Sequence, residues 1–174
     1  MSVWAAFNAA RVEAGRALLD IDFPSAAPDR PGAKFDIATV DEAVVALSSG
    51  TANVGVLPAE LGTSQFARAI NLSKCYVGQE VVARMHARKQ VARMIVGIRM
   101  PDDALPVAGA KVFDEASNEV GVVTSSTVSP ILSNAAICLA YLKRPFFDIG
   151  TRVKLPAEGA MREGVVVETP FVQI

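Results

Sequence analysis

Histidine is almost missing from this 174-residue chain, which has one, and cysteine appears only twice. A lone histidine excludes a metal site built from several imidazoles, and two cysteines cannot hold a cluster in the four-thiolate manner. Neither sign of charge is in excess: 17 Lys and Arg against 18 Asp and Glu leave a net charge of -1. That balance lacks the positive footprint of a nucleic-acid or anionic-membrane binder, so no direct nucleic-acid or membrane partner is expected. Long apolar runs are absent too: stretches such as Ala135 to Leu142 fall far short of the ~20 residues that cross a bilayer. The first residues show no charged stretch followed by an apolar one and a cleavage site, which sets the expectation of a cytoplasmic protein.

What is present describes a globular chain with a real core, since 51% of its residues are hydrophobic and 20% charged. Ser2 can cap a helix whose apolar face uses Val3, Phe7, Ala10 and Ala14, and Gly15 is placed to end it. The run from Phe23 to Lys34, with three prolines, has loop composition. Asp41 to Ser49 reads as a short helix closed by Gly50, and Gly78 to Arg88 as a second helix with Val81, Val82 and Met85 in an apolar stripe. After about Gln90 the pattern changes to six β-rich runs: Val91 to Met100, Ala110 to Phe113, Glu119 to Ser125, Ala135 to Leu142, Thr151 to Leu155 and Gly164 to Thr169. Turn residues punctuate them, as a small antiparallel barrel or sandwich requires. The two cysteines sit in unlike settings and read as free thiols, with Cys138 a packing residue between Ile137 and Leu139.

Ser73 to Glu80 gathers an amine, a thiol, a phenol, a glycine, an amide and a carboxylate directly before a predicted helix. A helix N-terminus and the ammonium of Lys74 both favour thiolate over thiol, so Cys75 is the candidate reactive group. Packing as a small hydrophobe is the alternative for any isolated cysteine. Tyr76 can stack on a ring or sit in the core. Gly78 suits a close backbone approach or a positive φ at the helix entry. Gln79 and Glu80 suit capping contacts. Arg84 and Arg88, four apart on one helix face, could fork onto a carboxylate tail or form a solvated face, and His86 beside them reads as a surface residue.

Cys75-Tyr76-Val77-Gly78-Gln79-Glu80 is similar to the Lys-Gly-Cys-Tyr-x-Gly-Gln-Glu signature of YgfZ-type folate-binding proteins. Arg11-Val12-Glu13-Ala14-Gly15 resembles the Arg-x-Glu-Ala-Gly segment they share with the glycine-cleavage T-protein. Gly121-Val122-Val123-Thr124-Ser125, Ser129-Pro130 and Glu168-Thr169-Pro170-Phe171 resemble that family's C-terminal barrel. Two departures stand out: Lys74 adjoins Cys75 without the intervening glycine, and the family's N-terminal portion has no counterpart, so the chain resembles a C-terminal half.

The resemblance implies an α+β fold, with residues 1–90 the C-terminal part of a T-protein-like folate-binding domain and 91–174 a six-stranded antiparallel β-barrel. It implies tetrahydrofolate as cofactor, with Glu13 on the pterin ring and Arg11, Lys74, Tyr76, Gly78, Gln79 and Arg84 as further candidate contacts. A carboxylate suits the ring because it accepts two hydrogen bonds at once. The implied function is folate-dependent assistance to iron–sulfur cluster assembly or repair, with Cys75 as the reactive thiol and iron–sulfur enzymes, including tRNA-modifying ones, as clients. Two alternatives are an aminomethyltransferase of the glycine cleavage system and a non-enzymatic interaction module. Apolar surface left by the missing half could drive homo-oligomers.

Overall fold

The computed structural model describes residues 2–18, 21–22, 58–62, 70–71, 73–76, 79–80, 82–83 and 91–172. The predicted loop at 23–34 and the predicted helix at 41–49 lie outside them. Helix α1 spans Val3–Glu13, a short 3-10 helix spans Pro58–Leu61, and six strands follow: β1 Arg93–Arg99, β2 Lys111–Phe113, β3 Glu119–Ser129, β4 Ala135–Lys143, β5 Arg152–Ala157 and β6 Ala160–Val167. All pairings are antiparallel, and the strands close into a barrel in the order β1-β4-β3-β2-β5-β6. Sheet dominates the described residues: the six β-rich runs, which left a barrel or a sandwich open, form the six-stranded barrel that the resemblance implies.

The side-chain period of two in a strand divides β4 between two cores. Ala136, Cys138, Ala140 and Leu142 point into the barrel with Val96, Ile98, Val112, Val123, Leu155 and Val166. Ile137, Leu139 and Tyr141 point outward and pack with Val12, Ile95, Val122 and Phe171. Both faces of β4 are therefore covered, which is why its burial runs unbroken from Ala136 to Leu142. Burying one outward Ile or Leu contributes about 2 kcal/mol, so this outer layer fastens α1, the 3-10 helix and the C-terminal tail to the barrel. On the other side β6 is open to solvent: Met161 and Val165 are exposed, while Gly164 and Val166 are buried.

Helix α1 begins as predicted: Ser2 has extended backbone, and its hydroxyl accepts from Ala5 N–H at 3.2 Å. Its end is a two-bond glycine cap. Gly15, at φ +63°, donates to Val12 O, and Arg16 donates to Arg11 O, both at 2.8 Å. A side chain at Gly15 would be strained by that φ and would meet Thr169 at 2.5 Å.

The predicted apolar face of α1 is corrected. Val3 is 89% exposed, Trp4 57% and Phe7 48%, and Ala10 is exposed as well. The buried face instead carries Ala9, Arg11, Val12 and Glu13. Hydrophobic spacing misread the helix because two charged side chains on its last turn find partners on the barrel, which lets them be buried.

Candidate functional site

The last turn of α1 lies on the outer face of β3 at an irregularity in that strand. Between Val123 and Ser125 the register against β4 shifts, because Thr124 is an extra residue. Neighbouring strand residues normally point to opposite faces, and a bulge re-aims one of them. Here Thr124 and Ser125 both donate their hydroxyls to Asp22 Oδ1, at 2.6 and 2.5 Å. Asp22 Oδ2 accepts from Leu18 N–H at 2.9 Å and from Arg11 Nη1 at 2.7 Å. Arg11 completes the cluster by donating Nη2 to Ser125 Oγ at 2.6 Å and Nη1 to Arg16 O at 3.2 Å. Its Nε has no hydrogen-bond partner among the described residues. Asp22 has no exposed surface and Arg11 is 4% exposed, so the pair is held out of water with both Asp22 oxygens and both terminal Arg11 nitrogens bonded.

Glu13, two residues on, is separate from that pair. It forms no ion pair with Arg11 or Arg16 among the described residues. Glu13 is 8% exposed, and its Oε1 accepts from the Ser129 hydroxyl at 2.5 Å. Its backbone carbonyl accepts from Phe171 N–H at 2.8 Å, so the C-terminal tail crosses the same spot. The carboxylate's Oε2 carries no bond among the described residues.

A second buried ion pair anchors the 3-10 helix to β1. Arg93 donates to Glu60 Oε1 at 3.2 Å and Oε2 at 3.5 Å, and its guanidinium lies 5.2 Å from the centre of the Tyr141 ring. Burial holds the Tyr141 phenol well above its ordinary range; Arg93 opposes the shift, and Glu60 and Asp22 add to it. Tyr141 Oη has no hydrogen-bond partner among the described residues.

The segment around Cys75 is placed differently. Cys75 and Lys74 are exposed, and both cysteines are free thiols. An Asn71-based turn precedes them, with Ser73 N–H donating to Asn71 Oδ1 at 3.0 Å and Lys74 N–H to Asn71 O at 3.2 Å. Tyr76 is half-buried, and its hydroxyl has no hydrogen-bond partner among the described residues. Residues 79–80 and 82–83 are helical, in keeping with the helix predicted from Gly78. Gly78, Arg84, His86 and Arg88 lie outside the described residues. Cys138, by contrast, is fully buried in the barrel, and burial pushes its thiol up to about 12.

The structure thus brings Arg11 and Glu13 together on one helix turn, each with its own barrel partner. Sequence reasoning missed Ser125 and Ser129 as those partners, and Asp22, which pairs with Arg11 and accepts from Thr124. Asp22 gives no signal of its own, whereas Thr124-Ser125 and Ser129-Pro130 stand in the segments that carry the family resemblance.

Comparison with known proteins addresses the barrel directly. Residues 93–173 match the family model of the Glycine cleavage T-protein C-terminal barrel domain. The barrel is T-protein-like. The chain is 33% identical over 130 residues to an aminomethyltransferase of Geobacillus sp. (strain WCH70), an alignment covering 75% of this chain and 35% of that protein. It is 32% identical over 104 residues to a probable aminomethyltransferase of Pyrococcus abyssi, covering 59% of this chain and 25% of the relative. Together these findings support a T-protein-like family. In fold, it superposes on the crystal structure of glycine cleavage system aminomethyltransferase T from Bartonella henselae with a TM-score of 0.60 at 23% identity, over 97% of this chain and 38% of that one. The chain spans about a third or less of the length of these curated relatives.

Proposed function

We propose that the protein binds tetrahydrofolate at the helix–barrel junction, with Glu13 as the group that receives the pterin ring. The observation that carries this reading is Glu13 itself: a nearly buried carboxylate with Oε1 committed to Ser129 and Oε2 without a bond among the described residues. A carboxylate has about four acceptor positions. One is used here, so the residue fits a ring that offers adjacent amino and amide N–H groups. Arg11 fits less well, because both terminal nitrogens of its guanidinium are bonded to the chain itself. Lys74, Tyr76, Gly78, Gln79 and Arg84 stay in the proposal as candidate contacts along the cofactor. Bound tetrahydrofolate would supply a carrier for one-carbon units, and Glu13 would orient its ring.

Two finer roles follow from different observations. The names of the curated relatives favour transfer of an aminomethyl group, a reaction for which this chain would supply only the portion it shares with them. The exposed Cys75 beside Lys74 favours thiol-dependent assistance to iron–sulfur cluster assembly or repair in client enzymes, including those that modify tRNA. Calorimetric titration with tetrahydrofolate tests the shared premise, and a protein that gives no saturable binding would end it. Cys75→Ala separates the two roles. Loss of client-enzyme activity with folate binding intact supports the thiol role; retained client activity supports one-carbon transfer.

A further inference from the structure

Ser129 ends β3 with no exposed surface, and its hydroxyl makes two bonds that cannot exchange roles. Its oxygen accepts from Leu132 N–H at 3.2 Å, and its proton goes to Glu13 Oε1 at 2.5 Å. A hydroxyl has one donor, and the amide of Leu132 can only donate, so the proton has a single destination. The length is that of a charge-assisted bond to a carboxylate. The terminal torsion of a glutamate is otherwise broad. With Oε1 tied down and the backbone held through Phe171 N–H, the plane of the Glu13 carboxylate is set from both ends.

We infer that Ser129 is a positioning residue for ring recognition. It orients Glu13 so that Oε2, with the remaining lone pair of Oε1, meets adjacent N–H donors of a pterin-type ring. This rests on the folate reading above. It goes further by assigning Ser129 the orientation of that carboxylate, so that loss of the Ser129 hydroxyl affects the ring and not the aminobenzoyl-glutamate tail.

The test compares two probes on the full chain: tetrahydrofolate and p-aminobenzoylglutamate, which lacks the ring. Ser129→Ala is expected to weaken tetrahydrofolate about tenfold, the usual cost of losing one bond to a charged group, and to leave p-aminobenzoylglutamate within about twofold. A purely structural role for Ser129 would weaken both probes alike, and that result overturns the assignment, as does unchanged tetrahydrofolate affinity. Should Ser129→Ala fail to fold, Ser129→Cys keeps the volume with only a weak donor, and the same ratio of affinities decides. Wild-type protein that binds p-aminobenzoylglutamate but not tetrahydrofolate rejects the Ser129 assignment while leaving a folate-tail site. Wild-type protein that binds neither rejects the folate reading as a whole.

Discussion

Replacing Asp22 with Ala removes the acceptor on which four donors converge: Arg11 Nη1, Leu18 N–H, Thr124 Oγ and Ser125 Oγ. The guanidinium of Arg11 would then lie buried without a counter-charge, since the side chains of the pair are 3% and 0% exposed. Breaking a buried pair in this way costs about 3–5 kcal/mol, chiefly the desolvation of the charge left behind. The surface pair of Lys111 and Glu119, with side chains 48% and 20% exposed, provides the contrast. Glu119→Gln should cost no more than about 1 kcal/mol. Urea unfolding followed by circular dichroism measures both. Arg11→Met in the Asp22→Ala background removes the stranded charge, so the double variant should be about 1–3 kcal/mol more stable than the sum of the single losses. An Asp22→Ala variant as stable as Glu119→Gln would refute the claim that this cluster fastens the helix to the barrel.

Further outcomes follow from burial and close approach. A thiol reagent should label one cysteine per native chain, Cys75, and two per unfolded chain, because Cys138 is enclosed; rapid labelling of both would contradict the packing. The folded Cys138 thiol titrates at about 12 against an ordinary 9.0, so its share of stability is complete below pH 9 and is lost as pH rises towards 12. Over that window Cys138 should lower stability by about 1.4 kcal/mol per pH unit, and Cys138→Ala should show a shallower alkaline slope. Gly121 faces the backbone carbonyl of Tyr141 so closely that an added Cβ would collide with it; Gly121→Ala should cost about 1–3 kcal/mol in an unfolding titration, and a neutral change would argue against the β3–β4 register. Trp4, the one tryptophan, is 57% exposed, so acrylamide should quench native fluorescence nearly as well as unfolded; a protected indole would place that face of α1 against a partner or a second copy.

The barrel was legible because each strand declares itself locally through β-branched runs ended by turn residues. Two ends moved. β3 continues to Ser129, past the predicted Ser125, because polar Ser126 and Thr127 pair with Cys138 and Ile137 as well as apolar residues would. β6 starts at Ala160 and not Gly164, because the tight turn at Glu158-Gly159 lets exposed Met161, Arg162 and Glu163 join the ladder. Apolar composition marks only the apolar part of a strand, and these extensions are half-buried or exposed apart from Ser129, which is buried but polar. The caps of α1 were legible for the same local reason, through Ser2 and Gly15.

The face of α1 and the partners of its charges were not legible, since they depend on contacts far apart in sequence. Arg11 meets Ser125 across 114 residues, and Glu13 meets Ser129 across 116. No period of 3.6 anticipates a carboxylate and a guanidinium on the buried side of a helix. The bulge at Thr124 is equally silent in the sequence, although it decides that two hydroxyls turn towards Asp22.

The most direct measurement is the affinity of tetrahydrofolate for the wild-type chain and for Glu13→Gln, by calorimetry on matched folded samples. Saturable binding that falls about tenfold or more in the variant is the predicted result, because an amide puts a donor where the ring's N–H groups require an acceptor. Equal affinities, or no heat from the wild-type protein, would contradict the assignment of Glu13 as the ring-binding group.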